Sequence, residues 1–241
     1  MKPYDSTGGK KSQIRTMFNN IAPTYDRLNH MLSMNVDRLW RRRTVKAVAR
    51  FEPLSVLDVA TGTGDLAVAL AQRLPDARIR GVDLSAEMLK VACEKVGRLG
   101  LDGRITLGEG DAEHLGFDDG SFDAVTVAFG VRNFENLEAG LREMHRVLRP
   151  GGILAVLELA SPRNRAVRLL YDAYSHRVLP RIGGMVSSDS RAYEYLPASV
   201  DEFPSPERFG RMLKDAGFAD CRIRSQSFGI ATIFEAVKAA R

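Results

Sequence analysis

The run Leu57-Asp58-Val59-Ala60-Thr61-Gly62-Thr63-Gly64-Asp65-Leu66-Ala67 reads as a strand, a glycine-rich turn and the start of a helix. Within it Gly62-x-Gly64-x-x-Ala67 matches G-x-G-x-x-G/A, the spacing that brings a turn's backbone against a bound nucleotide. Asp83 stands about 20 residues further on, at the end of the next apolar run, where a carboxylate can accept hydrogen bonds from a ribose diol. The bland alternative is a tight turn and an unrelated strand-end Asp, and it leaves their joint spacing unexplained. Asp58 ahead of the turn and Asp65 behind it narrow the ligand. Two carboxylates there would repel a pyrophosphate. They suit a cationic, phosphate-free adenosyl ligand, so S-adenosylmethionine is expected rather than NAD. In Gly110-Asp111-Ala112-Glu113, Asp111 can accept from an adenine amine and the Ala112 N–H can donate to a ring nitrogen, although such a turn taken alone is uninformative.

Strands alternating with helices must position these residues. Runs at Ser55–Ala60, Ile79–Leu84, Ile105–Glu109, Phe122–Phe129 and Ile153–Leu159 read as strands. Helices are expected at Asp65–Leu74, from Ser85 as N-cap to Arg98, and at Leu137–Leu148, the last stopped by Pro150-Gly151-Gly152. This alternation implies right-handed βαβ units and a mostly parallel sheet. Helical spacing also marks Ile14, Met17, Phe18 and Ile21, broken at Pro23, and then Val36, Leu39, Trp40, Thr44, Ala47 and Val48. A further stripe is Val167, Leu170, Tyr171, Tyr174 and Val178, followed by a Gly/Ser/Tyr-rich stretch from Gly183 to Pro204. Pro206–Ala216 reads as a helix, and Cys221–Phe228 and Thr232–Lys238 as two antiparallel closing strands.

With 241 residues the chain suits one large domain. Hydrophobic residues at 44% and charged residues at 27% exclude a disordered chain. Two cysteines, Cys93 and Cys221, exclude a disulfide framework and a multi-cysteine zinc site. No apolar run approaches the ~20 residues that cross a bilayer, and the polar start lacks a signal-peptide core, so a cytoplasmic location is expected. The net charge of +5 is too small an excess to name a partner. Nucleic-acid binding would need aromatics interleaved with a basic groove, and the 7% of aromatic residues form no such cluster.

The glycine turn, Gly81-Val82-Asp83-Leu84-Ser85 with Met88, and Leu148-Arg149-Pro150-Gly151-Gly152 resemble class I S-adenosylmethionine-dependent methyltransferases. More specific are Met17-Phe18-Asn19-Asn20-Ile21-Ala22-Pro23-Thr24-Tyr25-Asp26 and Phe129-Gly130-Val131-Arg132-Asn133. So are Tyr171-Asp172-Ala173-Tyr174-Ser175, Val178-Leu179-Pro180-Arg181-Ile182-Gly183 and Tyr193-Glu194-Tyr195-Leu196. Together, over 14–238, they resemble the C-methyltransferases that make menaquinone from demethylmenaquinone and, in some bacteria, methylate a ubiquinone precursor. The resemblance implies an α/β fold: one doubly wound, Rossmann-like domain over 1–241 with a mostly parallel seven-stranded sheet and an antiparallel last strand. Its parts would be an N-terminal helical lid (12–51), a core (54–162), a helical insertion after the fifth strand (163–205) and a closing segment (206–239). S-adenosylmethionine is then expected along Asp58, Gly62, Thr63, Gly64, Asp83, Leu84, Met88, Asp111 and Ala112. Ala128 stands where the family often has Ser.

Methylating a ring carbon needs an electron-rich ring, so a prenylated quinol rather than the quinone is the expected substrate, with a hydroxyl pKa of about 10 by analogy with tyrosine. Arg132 is expected to stabilise phenolate charge and Asn133 to orient a hydroxyl, with Tyr25 and Asp26 in a lid. The structural alternatives are an Arg132–Glu135 salt bridge and a helix-capping Asn133. Tyr174, Tyr193 and Tyr195 are expected to line the ring pocket, or to be plain core. His176 is a weaker candidate for a base, since a lone His is usually structural. No metal is expected, because His30, His114, His145 and His176 show no paired ligand spacing. The Val36–Arg50 helix carries Arg38, Arg41, Arg42, Lys46 and Arg50 on a polar side. That side suits peripheral contact with a membrane's inner surface, or plain solvation. The oligomeric state, monomer or homodimer, stays open. Methylation of another small lipophilic molecule is the competing reading, and an NAD-dependent oxidoreductase the remote one.

Overall fold

The computed structural model describes residues 2–4, 7–162, 164–175, 189 and 191–240. The sheet is built from β1 (Ser55–Val59), β2 (Arg78–Asp83), β3 (Ile105–Glu109), β4 (Phe122–Ala128), β5 (Leu148–Leu159), β6 (Phe218–Gln226) and β7 (Ala231–Lys238). Their order is β3-β2-β1-β4-β5-β7-β6. The first five pair in parallel, and β7 runs antiparallel to both β5 and β6. This is the doubly wound sheet with a reversed last strand that the sequence implied.

Alternate residues of each central strand serve opposite faces. Leu57, Val125, Leu154 and Phe234 pack with Leu141 and Met144 of α6 (Leu137–Val147) and Phe209 of α9 (Pro206–Asp215). Val56, Ala124 and Ile153 pack instead with Val45 and Val48 of α3 (Val36–Val48) and Leu66 and Leu70 of α4 (Asp65–Arg73). Val96 of α5 (Ala86–Arg98) joins that face. Ser85 caps α5 by accepting from the Met88 N–H, and Ser205 caps α9. Over the sheet's C-terminal edge lie α1 (Lys10–Ile21) and α2 (Tyr25–Leu32), whose Ile14, Met17, Ile21, Leu28 and Leu32 pack with Met88, Tyr193 and Tyr195. No helix of the described residues is long and apolar enough to cross a membrane.

Four expectations change. Leu148-Arg149-Pro150-Gly151-Gly152 is not a turn before the strand but its first part. Leu148 already pairs with Phe122, and an irregularity between Phe122 and Ala124 absorbs the proline and glycines. The Gly/Ser/Tyr-rich stretch up to Pro204, in which the spacing assigns no helix residue by residue, contains α8 (Arg191–Glu202). It keeps Pro197 inside because burial of Ala192, Tyr193, Tyr195 and Val200 outweighs the ~3 kcal/mol an interior proline costs. In α3, Arg41 lies buried rather than on the polar side, while Leu39 of the apolar stripe is exposed. In α7 (Arg165–Ala173), Leu170 of the expected stripe is likewise exposed. Val178, His176 and Val178-Leu179-Pro180-Arg181-Ile182-Gly183 lie outside the described residues.

Candidate active site

Strands β1 and β4 end side by side at the edge where ligands bind in open parallel sheets. Each end is followed by a non-glycine residue in the left-handed region, Ala60 at φ 51° and Phe129 at φ 59°. Such strain concentrates at functional sites. Gly130 then passes so close that a Cβ on it would lie 2.6 Å from the Ala60 Cβ. Two cavities open against this junction.

The first, of about 710 Å³, is lined by Gly62, Asp83, Leu84, Met88, Asp111 and Ala112, with Phe129, Gly130 and Asn133 along its inner side. Gly62 adopts φ 57°, and a side chain built there would meet nothing within 4 Å, so its backbone faces open space. Asp83 accepts the Gly62 N–H (2.8 Å) and the Ser85 N–H (2.9 Å), one on each oxygen. The Leu84 N–H is a third backbone donor to this carboxylate, so of its about four lone-pair sites one remains for a ribose hydroxyl. Burial pushes the Asp83 carboxyl up, against those backbone donors. Burial pushes Asp111 up as well, but its contact with Lys11 Nζ (2.6 Å) and the Glu113 N–H prevail and hold it below the ordinary carboxylate range.

Three residues assigned to the cofactor stand differently. Asp58 does not present a free carboxylate: Thr61 and Thr126 hydroxyls donate to its two oxygens, each at 2.6 Å, and burial raises its pKa to about 6. With a pKa of about 6 the group is still mostly ionised near neutral pH, so its repulsion of a pyrophosphate is weakened rather than removed; what the fold changes is that each oxygen already accepts a threonine hydroxyl. Asp65 is likewise neutralised, by Lys95 at 2.5 Å. Thr63 turns from the first cavity and donates its hydroxyl to Asp26 of the lid at 2.5 Å. Gly64 sits at the start of α4 with a Cβ position 3.2 Å from Ala92 Cβ, so it serves the approach of α5.

The second cavity, of about 800 Å³, has apolar walls from Leu32, Trp40, Phe129, Leu159, Leu196 and Ile230. Its polar groups include Asp37, Arg41, Arg132, Tyr171 and Tyr174. Tyr25 lines both cavities and stands at their junction, its phenol pushed up by burial although Arg132 and Arg41 work the other way. Arg132 does not pair with Glu135. Its Nη1 donates to Glu158 Oε1 (2.7 Å) and the Phe129 carbonyl (2.5 Å), and its Nε to Ser199 Oγ (3.3 Å). Three of the five guanidinium donors are thus engaged, and among the described residues the two on Nη2 have no partner and remain for a ligand. Glu135 instead accepts the Lys10 N–H.

Asn133 caps no helix; Asn136 does so for α6. Its Oδ1 accepts the Tyr195 hydroxyl at 3.2 Å. The three tyrosines do not share one pocket. Tyr174 lines the second cavity and donates to the Leu32 carbonyl at 2.8 Å. Tyr193 and Tyr195 are buried and edge a smaller cavity between α1 and α8.

A family model described as the ubiE/COQ5 methyltransferase family matches residues 6–238. The chain belongs to this family. It is 43% identical over 238 residues to a demethylmenaquinone methyltransferase of Bacteroides fragilis, covering 99% of this chain and 97% of the relative. It is 48% identical over 230 residues to a ubiquinone/menaquinone biosynthesis C-methyltransferase of Geobacter sulfurreducens, covering 95% and 90%. Among solved structures the [4+2]-cyclase SpnF superposes with a TM-score of 0.71 at 20% identity, over 96% of this chain and 97% of that one, which shows the fold alone.

As a member of a methyltransferase family the chain uses S-adenosylmethionine, and the first cavity fits it. Asp83 keeps an acceptor site for a ribose hydroxyl, and Leu84, Met88, Asp111 and Ala112 line the same cavity. Lys11, Asp37, Arg41, Trp40 and Glu158 were not singled out as site residues from the sequence. Glu158 had a signal, as the one charge in the run Ile153–Leu159, and Asp37 and Arg41 had one in their i,i+4 spacing. Lys11 sits in a polar segment with no pattern to mark it.

Proposed function

We propose that this chain methylates a ring carbon of a prenylated quinol, demethylmenaquinol to menaquinol, with a demethylated benzoquinol as a second acceptor. The observation that carries this reading is the meeting of the two cavities at Tyr25, one edged by Asp83 and Asp111, the other with apolar walls and the cations Arg132 and Arg41. S-adenosylmethionine held in the first would supply an electrophilic sulfonium methyl: the methyl–sulfur bond would break as the ring carbon–methyl bond forms, leaving a neutral thioether, and the proton of that ring carbon would pass to water. The remaining work falls to the chain. Arg132, held by Glu158, offers two fixed donors to the oxygen that gathers charge as the ring carbon becomes nucleophilic. Tyr25, at the start of α2 in the lid, excludes water between the cavities. Asn133 reaches the first cavity and is fixed by Tyr195. Supporting a lipophilic tail, Met34, Leu170 and Phe228 are exposed and lie within two residues of the cavity-lining Ser33, Tyr171 and Ile230. The chain is accordingly proposed to work in peripheral contact with a lipid surface.

The test is transfer of labelled methyl to demethylmenaquinone, a demethylated benzoquinone and a fatty-acyl lipid, each with and without reductant. Label is expected in the quinols only under reducing conditions. Equal labelling of oxidised and reduced forms, or labelling of the acyl lipid alone, overturns the reading.

A further inference from the structure

A quinol and its quinone have nearly the same shape, and they differ in what their oxygens can do. A hydroxyl donates a hydrogen bond; a carbonyl only accepts. Arg132 can serve either form, because its Nη2 donors suit a phenolate and a carbonyl alike. Discrimination therefore needs an acceptor that cannot donate.

Asp37 is the one carboxylate lining the second cavity, among the described residues. It is almost wholly buried at 3% exposure. Its Oδ2 receives Arg41 Nη1 and faces His30 Nδ1 at 2.8 Å, while its Oδ1 accepts the Ser33 hydroxyl at 2.7 Å. A carboxylate has about four lone-pair sites. Three are filled, and the fourth, on Oδ1, lies on the oxygen that shares Ser33 with the cavity. Burial opposes the charge, yet Ser33, Arg41 and His30 together hold the carboxyl below its ordinary range, so the group stays an acceptor only. Arg41, the neighbouring cation, is turned to Asp37 and, at 3.8 Å, to Asp65.

We propose that Asp37 selects the reduced substrate: Oδ1 accepts the quinol hydroxyl remote from Arg132 and meets the quinone carbonyl with two unshared oxygens in opposition. Arg132 takes the oxygen that becomes anionic, and Asp37 takes the one that stays protonated. The assignment rests on the second cavity being the quinol site. A site built on such a polar contact rejects the ligand lacking it far more strongly than an apolar wall can.

The probes are a short-chain demethylmenaquinone in both redox states and a prenylated 1-naphthol lacking only the second hydroxyl. The quinol is assayed anaerobically as substrate, and the quinone and naphthol as competitive inhibitors. On the wild-type enzyme the quinone Ki is expected at least ~100-fold above the quinol KM, and the naphthol Ki ~10-fold or more above it. Asp37→Asn, whose amide can donate to a carbonyl, should bring the quinone ratio within about tenfold while S-adenosylmethionine binding persists. Equal wild-type affinity for all three probes overturns the assignment, and this arm needs no variant. A folded Asp37→Asn that keeps the wild-type ratio overturns it too. Failure of the quinol to turn over or bind at all would instead remove the substrate reading beneath it.

Discussion

Arg132 is 7% exposed at its side chain and Glu158 is fully buried, so the pair is desolvated together. Glu158 offsets the burial that would otherwise disfavour the guanidinium charge. A lysine at this position keeps the charge and can still reach Glu158, but it loses the fork that leaves Nη2 pointing to a ligand. Arg132→Lys is expected to lower kcat by about tenfold to a thousandfold, the scale of one lost electrostatic stabiliser, with S-adenosylmethionine affinity unchanged. Single-turnover rate and melting temperature on the same variant check this, and a destabilised variant with full single-turnover activity removes Arg132 from the chemistry. Asp58 makes a different prediction. Its pKa rises from 3.8 to about 6 on folding because burial penalises the charge more than Thr126 and Thr61 compensate it. The folded protein therefore binds this proton more tightly than the unfolded chain. The stability it contributes is fully present below pH 3.8 and is lost as pH rises through about 6. Asp58→Asn, uncharged and able to serve both threonine hydroxyls, should gain roughly 2–3 kcal/mol over the wild type at pH 8 relative to pH 4. Denaturation of the ligand-free protein at the two pH values measures it; a gain that is the same at both contradicts the burial argument.

At the scale of elements, the lid is tied to the glycine turn by charge as well as by packing. Asp26 of α2 accepts the Thr63 hydroxyl and Lys95 Nζ (2.6 Å), and Lys95 also reaches Asp65 at the start of α4. The lysine of α5 thus ties α2 to the start of α4, beside the glycine turn. Asp26→Ala leaves Lys95 paired with Asp65 and should let the lid open more often. S-adenosylmethionine should then dissociate about tenfold faster, with little change in melting temperature. Stopped-flow displacement tests this, and an unchanged dissociation rate would show that packing alone closes the lid. The elements legible in the sequence were those with local signals: β3 with its apolar run, α5 behind the Ser85 cap, α9 behind the Ser205 cap, and the β6–β7 pair around Gly229. α8 was not legible, because Pro197 and a run of polar and aromatic residues give a loop's composition. The burial that stabilises it comes from α1 and α2, more than 150 residues earlier in the chain.

Across the whole molecule the charge of +5 is too small to define a partner, and the arrangement of apolar residues says more. Phe228 is 84% exposed and Met34 79%, and both hold positive φ, at 58° and 51°. Two bulky side chains in strained turns and facing water are costly without a function. If the rim of the second cavity meets lipid, replacing both by Ser should reduce partition to anionic vesicles by about tenfold or more, since each apolar side chain contributes roughly 1.5–3 kcal/mol when buried. Co-sedimentation measures this, and equal partition of the two proteins would place the contact elsewhere.

The sequence by itself determined the strand–helix alternation, the glycine turn with Asp83 at the next strand's end, and, through its flanking motifs, the family. These are encoded within short stretches, where spacing and propensity act between neighbours. The tertiary structure alone decided which groups are charged, free and adjacent. Asp58 is buried and accepts a hydroxyl from β4, Arg132 pairs with Glu158 of β5 rather than nearby Glu135, and Arg41 turns inward to Asp37 and Asp65. The choice in each case follows from desolvation. A buried charge must find a partner wherever the sheet and lid bring one within reach, and that distance in space is not written in the spacing along the chain.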